Sequence, residues 1–531
     1  MNILSNCLSR QILKTALFIF FAGYISGCIY ALFFYGSDIV STFARCGSDE
    51  FHFLDNTRIM FEELIHLRIK GFLYNCYSFG YGIVYWIILF FATLPGFLLD
   101  NQRLIVLGGR FVSLFFSLGT FFLVYVTIKN LFKKDDLIVL LSLVPSLLSF
   151  QLFTFQTIVH PETVYIFFIF LALFFLQKDK GAFGSYFLLA CSSWTLSLSA
   201  KVLAIFSAPI FLIYIIYNKT RLTSIIKGMA IGALSLMLIN FPLFFPLIRI
   251  RFFNWLVGMS GRSSCGSISI EALQGHFFAL NDGYLNFFVL GICFLIILIF
   301  EFFELKNKIN LVILFPNVGI SLSFLSLFWI YLIVSFSCCR DVATIHYGLP
   351  LLYAFPFLVM SLLKRIDNVW PLYALILQIL LICLLPLKFF AGSNQYQLAL
   401  PSFCLLSSAN GVESIHDEAF DAKRDMDVAA SLFKKYFSYS DKRLLVRGNP
   451  AFGLIWPSIH NPPIYLSLYD LEDQSLVEAD VVILRVRNVV DDKSRRFFTF
   501  EQINNTKLLR RFFKKIYDDG RLLMFERVQH E

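Results

Sequence analysis

Long runs of apolar residues, separated by short polar linkers, set the pattern of this chain from its N-terminus to about residue 390. Crossing a hydrocarbon core takes about 20 predominantly apolar residues in a helix. Runs of that kind lie at 12–34, 107–128, 137–157, 162–177, 184–200, 202–217, 225–246, 285–303, 310–335, 345–363 and 370–390. They show no polar face, so they predict helices surrounded by lipid or by other apolar helices rather than helices half-bathed in water. A further run at 80–99, GYGIVYWIILFFATLPGFLL, is apolar enough to cross as well. From residue 391 the pattern changes. Charged residues return, with strand-like runs at 443–448, 479–487 and 521–528 and helix-like stretches near 422–437 and 505–517. That alternation predicts a small α/β domain at 391–531.

The linker charges orient the spans. If 80–99 lies in or on the membrane without crossing, and the N-terminus is cytoplasmic, the same side receives Arg10 and Lys14, the Lys129–Lys134 cluster, Lys178 and Lys180. It also receives Lys219, Arg221 and Lys227, then Lys306 and Lys308, then Lys364 and Arg365. The positive-inside rule selects that arrangement. The expectation is a polytopic α-helical membrane protein of about eleven spans. Residues 1–390 form the multi-span part, 36–106 its first outer loop with juxtamembrane helices, and 391–531 an extracytoplasmic domain. The run at 12–34 is too long for a signal-peptide core and reads as an uncleaved first helix.

Composition agrees. Charged residues are 15% of the chain against 58% hydrophobic, and the mean hydropathy is +0.71; soluble domains are nearer one-quarter charged. The net charge of +9 sits in the linkers, which argues for cytoplasmic loops and against a nucleic-acid surface. The eleven cysteines show no metal-ligand spacing.

Ionisable groups close to a membrane are costly and mark substrate paths, and on this topology those left over gather on the outer side. Asp49 and Glu50 follow the first span: a carboxylate there serves either as general base or, with Ser48, as the cap of the following helix. His160-Pro161-Glu162 stands at an outer corner, where Pro and Glu also suit a helix start. Lys201 lies between two apolar runs with no acidic residue nearby in sequence; it either snorkels to the interface or binds an anion. Arg340, His346 and Tyr347 precede another span, and Arg249 and Arg251 lie in LIRIRFFNW. Arginine matches phosphate bidentately, and equally anchors headgroups. Carboxylates and cations on one face suit a reaction at an anionic lipid headgroup. A transporter would instead carry ionisable residues at mid-membrane on broken helices, usually with repeat symmetry.

These motifs, in this order over residues 10–360, resemble the GT-C glycosyltransferases, within them the protein O-mannosyltransferase and lipid A aminoarabinose transferase group. SDEFHFLD resembles the acidic motif of the first outer loop. YSFGYGIVYW is similar to a Pro-Tyr-Tyr-rich element, with Phe79-Gly80-Tyr81-Gly82 where many relatives carry proline. The run led by Arg110 resembles the second span, HPETVYIFFIFLAL the next outer corner, and SAKVLAIF the stretch with a donor-binding lysine. IHYGLPLLYAFP resembles an Arg-Tyr-x-x-x-Pro element with His346 in the arginine's place, an imidazole largely uncharged at neutral pH.

The resemblance implies a sugar donor on a polyprenyl phosphate, undecaprenyl phosphate in a bacterium, and inverting transfer in one step to an extracytoplasmic lipid, glycan or protein. It implies Asp49 as base with Glu50 beside it, and Lys201 and Arg340 on the carrier phosphate with His346, Tyr347 and Arg249 close by. His160, Glu162 and Arg110 would line the cavity, with no metal and no cofactor. The location implied is a bacterial inner membrane. The competing expectations are a transporter or flippase for such a lipid, which needs a path to the cytoplasmic leaflet, and an assembly protein working through its tail.

Overall fold

The computed structural model describes residues 2–33, 49–132, 136–147, 150–218, 222–262 and 349–364, and in the C-terminal part chiefly 444–446, 466–467, 480–485, 506–520 and 522–528. The apolar runs within these residues are helices. In chain order they are α1 (Asn2–Phe33), α2 (Asp49–Ile65), α3 (Ile69–Asn75), α4 (Ile83–Leu98), α5 (Gln102–Phe132), α6 (Asp136–Leu147) and α7 (Phe150–Thr157). Then come α8 (Glu162–Asp179), α9 (Ser185–Ala200), α10 (Ala208–Tyr217), α11 (Leu222–Ile239), α12 (Pro246–Arg262) and α13 (Leu349–Lys364). Short 3₁₀ turns at Ser78–Gly80, Val202–Ser207 and Phe241–Phe244 join neighbours. The run at 137–157 is two helices, α6 and α7, and the run at 202–217 opens as a 3₁₀ turn before α10. The expected spans at 285–303, 310–335 and 370–390 lie outside the described residues.

Helices α5 and α11 are long and apolar enough to cross a membrane by length and composition. Along α11 the large side chains Leu222, Ile226, Met229, Leu234 and Met237 are exposed, a surface suited to lipid. Its opposite side is set against α9. A methyl group on Gly228 would overlap the ring of Phe187, so a residue without Cβ lets the two helices meet.

The chain divides into two compact units, one of residues 1–35, 63–92 and 107–411, the other of 36–62, 93–106 and 412–531. In the first, α9 packs on both α8 and α11, and α6 on α13. A buried polar chain ties four helices together there. Tyr353 Oη donates to Ser117 Oγ (2.7 Å), Ser117 Oγ to Gln156 Oε1 (2.9 Å), and Gln156 Nε2 to Tyr24 Oη.

In the second unit the rings of Phe61 and Phe97 stack at 5.2 Å. This unit also holds a five-stranded sheet of β1 (Leu444–Val446), β2 (Leu466–Ser467), β3 (Val481–Arg485), β4 (Phe513–Asp518) and β5 (Leu522–Arg527), in the order β2-β1-β3-β5-β4. β1 runs parallel to both β2 and β3, whereas β5 is antiparallel to β3 and β4. The helix expected at 505–517 ends at Phe512, and its second half is β4. The reason is the following turn. Gly520 takes φ +81°, and the Asp518 and Asp519 carboxylates accept from the amides of Gly520 (3.0 Å) and Leu522 (2.6 Å). The chain is thereby folded back into a hairpin with β5.

Candidate functional site

Three of the polar residues singled out in the sequence meet in the first unit. Pro161 precedes α8, and its carbonyl accepts from Val164 (3.1 Å), so Glu162 enters at the helix N-terminus, where the backbone dipole favours a carboxylate. Lys201 ends α9. Its backbone turns extended (φ −152°, ψ 125°) and pairs as an antiparallel bridge with Tyr81, while Gly82 N donates to Ala200 O at 3.0 Å. A Cβ at residue 82 would overlap the carbonyl oxygen of Ser199, so glycine is what permits this approach.

The pairing turns the Lys201 side chain inward. Its Nζ forms an ion pair with Glu162 Oε1, and His160 Nδ1 lies 3.3 Å from Glu162 Oε2. The rings of Tyr81 and Tyr165 flank the ammonium, with centroids 5.2 and 5.6 Å from Nζ. All three polar residues are buried, with Lys201 5% exposed. The His160 amide donates to Ser113 Oγ of α5 (3.1 Å), its ring meets Phe155 edge-on at 4.8 Å, and Ser197 Oγ donates to the Tyr165 carbonyl (2.7 Å). The partner that Lys201 lacks in local sequence is therefore Glu162, 39 residues upstream. A snorkelling lysine would keep its ammonium in water; this one is enclosed.

A second arm reaches the same segment from α12. Arg251 Nη2 donates to Ser78 Oγ (2.8 Å) and Nη1 to Asn75 Oδ1 (3.3 Å), and the guanidinium lies 3.8 Å from the ring centroid of Tyr74. Asn240 Nδ2 donates to Ser199 Oγ (2.6 Å), and Asn240 Oδ1 accepts from Tyr77 Oη (3.3 Å). The stretch 74–82 is thus held by Arg251 at one end and by the Lys201 backbone at the other. It also carries strain of its own, since Phe79, a residue with a Cβ, sits at φ 58°.

The remaining candidates are placed as follows. Arg110 is fully buried in α5, and Arg249 is exposed on α12. Asp49 is the first residue of α2 and Glu50, beside it, is fully buried; both belong to the second unit. Arg340, His346 and Tyr347 lie outside the described residues. Among the described residues no three His, Cys, Asp or Glu side chains gather closely enough to hold a metal ion. Sequence reasoning passed over Tyr165 and Asn240 and noted Tyr81 only within a motif, because a tyrosine at a span end looks like any interfacial anchor.

No family model matches the sequence, and no curated protein sequence is significantly similar to it. Solved structures are. ArnT from Cupriavidus metallidurans, in the structure bound to undecaprenyl phosphate, matches with a TM-score of 0.52 at 11% identity, over 95% of this chain and 97% of that one. The apo state of the same protein matches with a TM-score of 0.50 over the same shares of both chains. The chain has the GT-C fold. GT-C proteins are polytopic and membrane-embedded, which accounts for the exposed apolar face of α11. Within this GT-C chain, the ion pair of Glu162 and Lys201 joins the ends of two consecutive helices, α8 and α9.

Proposed function

We propose that the protein is a membrane glycosyltransferase that takes a hexose or pentose from a polyprenyl-phosphate carrier. The acceptor is an extracytoplasmic lipid, glycan or protein. The observation that carries this reading is the likeness to ArnT along nearly the whole of both chains, ArnT having been solved with undecaprenyl phosphate bound. The Arg251 arm, on the segment 74–82 that the Lys201 backbone pins, supports it. A preorganised set of charges and donors is what a departing phosphate needs.

In this mechanism Asp49, with Glu50 next to it, takes the proton of the acceptor hydroxyl as that oxygen attacks the anomeric carbon. The bond from that carbon to the carrier phosphate breaks on the opposite side, and the configuration inverts. The polyprenyl phosphate leaves as an anion and is stabilised by cations on the outer face. About eleven spans, a cytoplasmic N-terminus and an outward C-terminus complete the proposal, with the inner membrane of a bacterium as its place.

The test is transfer measured in membranes holding the protein, with a panel of polyprenyl-phosphate sugars as donors. Asp49→Asn should reduce transfer to background while membrane insertion and expression stay at the wild-type level. Full activity in that variant removes Asp49 as base. No transfer from any polyprenyl-phosphate sugar by the unmodified protein removes the function.

A further inference from the structure

Two buried or part-buried cations belong to the assembly around residues 74–82, and their electrostatic circumstances differ. Lys201 is neutralised: Glu162 holds its ammonium, both side chains are buried, and the tyrosine rings of Tyr81 and Tyr165 flank it. An anionic ligand at that ammonium would compete with a carboxylate already paired with it in a dry setting, where separating the pair is costly.

Arg251 is part-buried, and the contacts described for it are the hydroxyl of Ser78, the amide oxygen of Asn75, and both the ring and the hydroxyl of Tyr74. Among the described residues no carboxylate pairs with it, so the guanidinium keeps its positive charge. These contacts orient the guanidinium, and a planar fork held in that way matches the oxygens of a phosphate. Its neighbour Arg249, exposed on the same helix, has no comparable frame among the described residues.

We propose that Arg251, and not Lys201, receives the phosphate of the anionic lipid, with Tyr74, Asn75 and Ser78 as its orienting frame. Lys201 and Glu162 then form a neutral pin that sets the backbone of the same segment through the Tyr81 bridge. This rests on the polyprenyl-phosphate reading above, and it divides the candidate cations into one that binds and one that positions.

The test is binding of a short-chain polyprenyl monophosphate, free of sugar, to the purified full-length protein in detergent, followed by native mass spectrometry. Arg251→Gln should weaken binding at least tenfold, and Arg251→Lys, which keeps the charge but loses the fork, by a smaller factor. The charge-free pair Lys201→Met with Glu162→Gln should stay within threefold of wild type. Thermal midpoints within a few degrees of wild type establish that each variant is folded. If the Arg251→Gln midpoint falls further, Ser78→Ala is the substitute, expected to weaken binding by a smaller factor than Arg251→Gln.

Wild-type binding of the probe with unchanged affinity in Arg251→Gln overturns the assignment, as does loss of binding in the charge-free pair alone. Equal Arg251-dependent binding of phosphatidylglycerol or inorganic phosphate reduces Arg251 to a general anion anchor and overturns the carrier role. Absence of probe binding by the wild-type protein is a different failure: it removes the polyprenyl-phosphate reading itself.

Discussion

At the scale of single residues, the buried pair of Lys201 and Glu162 carries a large energetic stake. Removing one member leaves the other charged without its partner, at a cost of about 3–5 kcal/mol, whereas removing both together is often close to neutral. The single variants Lys201→Met and Glu162→Gln should therefore each lower the thermal midpoint in detergent clearly, and the double variant should recover more than half of the larger loss. Additive single effects would show that the two charges do not depend on one another.

Each member was legible in the sequence as a polar residue out of place, but their meeting was not, because they stand 39 positions apart, at the far ends of two helices joined by a turn. The two arginines of LIRIRF show the same limit. Two positions apart on a helix is about 200° of rotation, so one of Arg249 and Arg251 turns inward while the other does not. Nothing in the local pattern says which, and only packing of α12 beside the 74–78 segment decides for Arg251.

At the scale of elements, helix existence was readable because apolar length leaves few alternatives, while their joins were not. Breaks inside 137–157 and 202–217 do not alter hydrophobicity, so the runs looked continuous. Strand β4 was misread for another reason: FKKIYD has no decisive period, and the Asp-Asp-Gly turn after it, rather than its own composition, folds it onto β5. What locks the helices of the first unit together is polar as well as apolar. Gln156 stands at the centre of the chain from Tyr24 through Ser117 to Tyr353, serving α1, α5, α7 and α13. Replacing a central group strands buried partners, at about 1–3 kcal/mol, whereas removing a terminal hydroxyl costs nearer 1 kcal/mol. Gln156→Leu should thus lower the thermal midpoint more than Tyr353→Phe does. The reverse order, read from the same melting series, would place the weight of the network on α13 instead.

At the scale of the whole molecule, the orientation in the membrane turns on α4. It has 16 residues, with Pro95 inside it, and at 1.5 Å per residue spans about 24 Å, short of the roughly 30 Å of a hydrocarbon core. α9 and α13 have the same 16 residues, so length does not set α4 apart, and the choice of a helix that lies in or on the membrane without crossing rests on the lysine-rich linkers, which it puts on one side. The sidedness of everything after residue 98 follows from this one helix. A reporter enzyme that works only outside the cytoplasm, fused after Glu531, should therefore be active, and the same reporter fused after Lys180 inactive. If α4 crosses, Lys180 changes sides and its fusion becomes active. The proposed base, on the loop after the first helix, precedes α4 and keeps its side in either case, whereas Glu162, Lys201 and Arg251 follow it. Activity of the fusion at Lys180 would thus place the cations and the base on opposite faces, and no single-step transfer could use both.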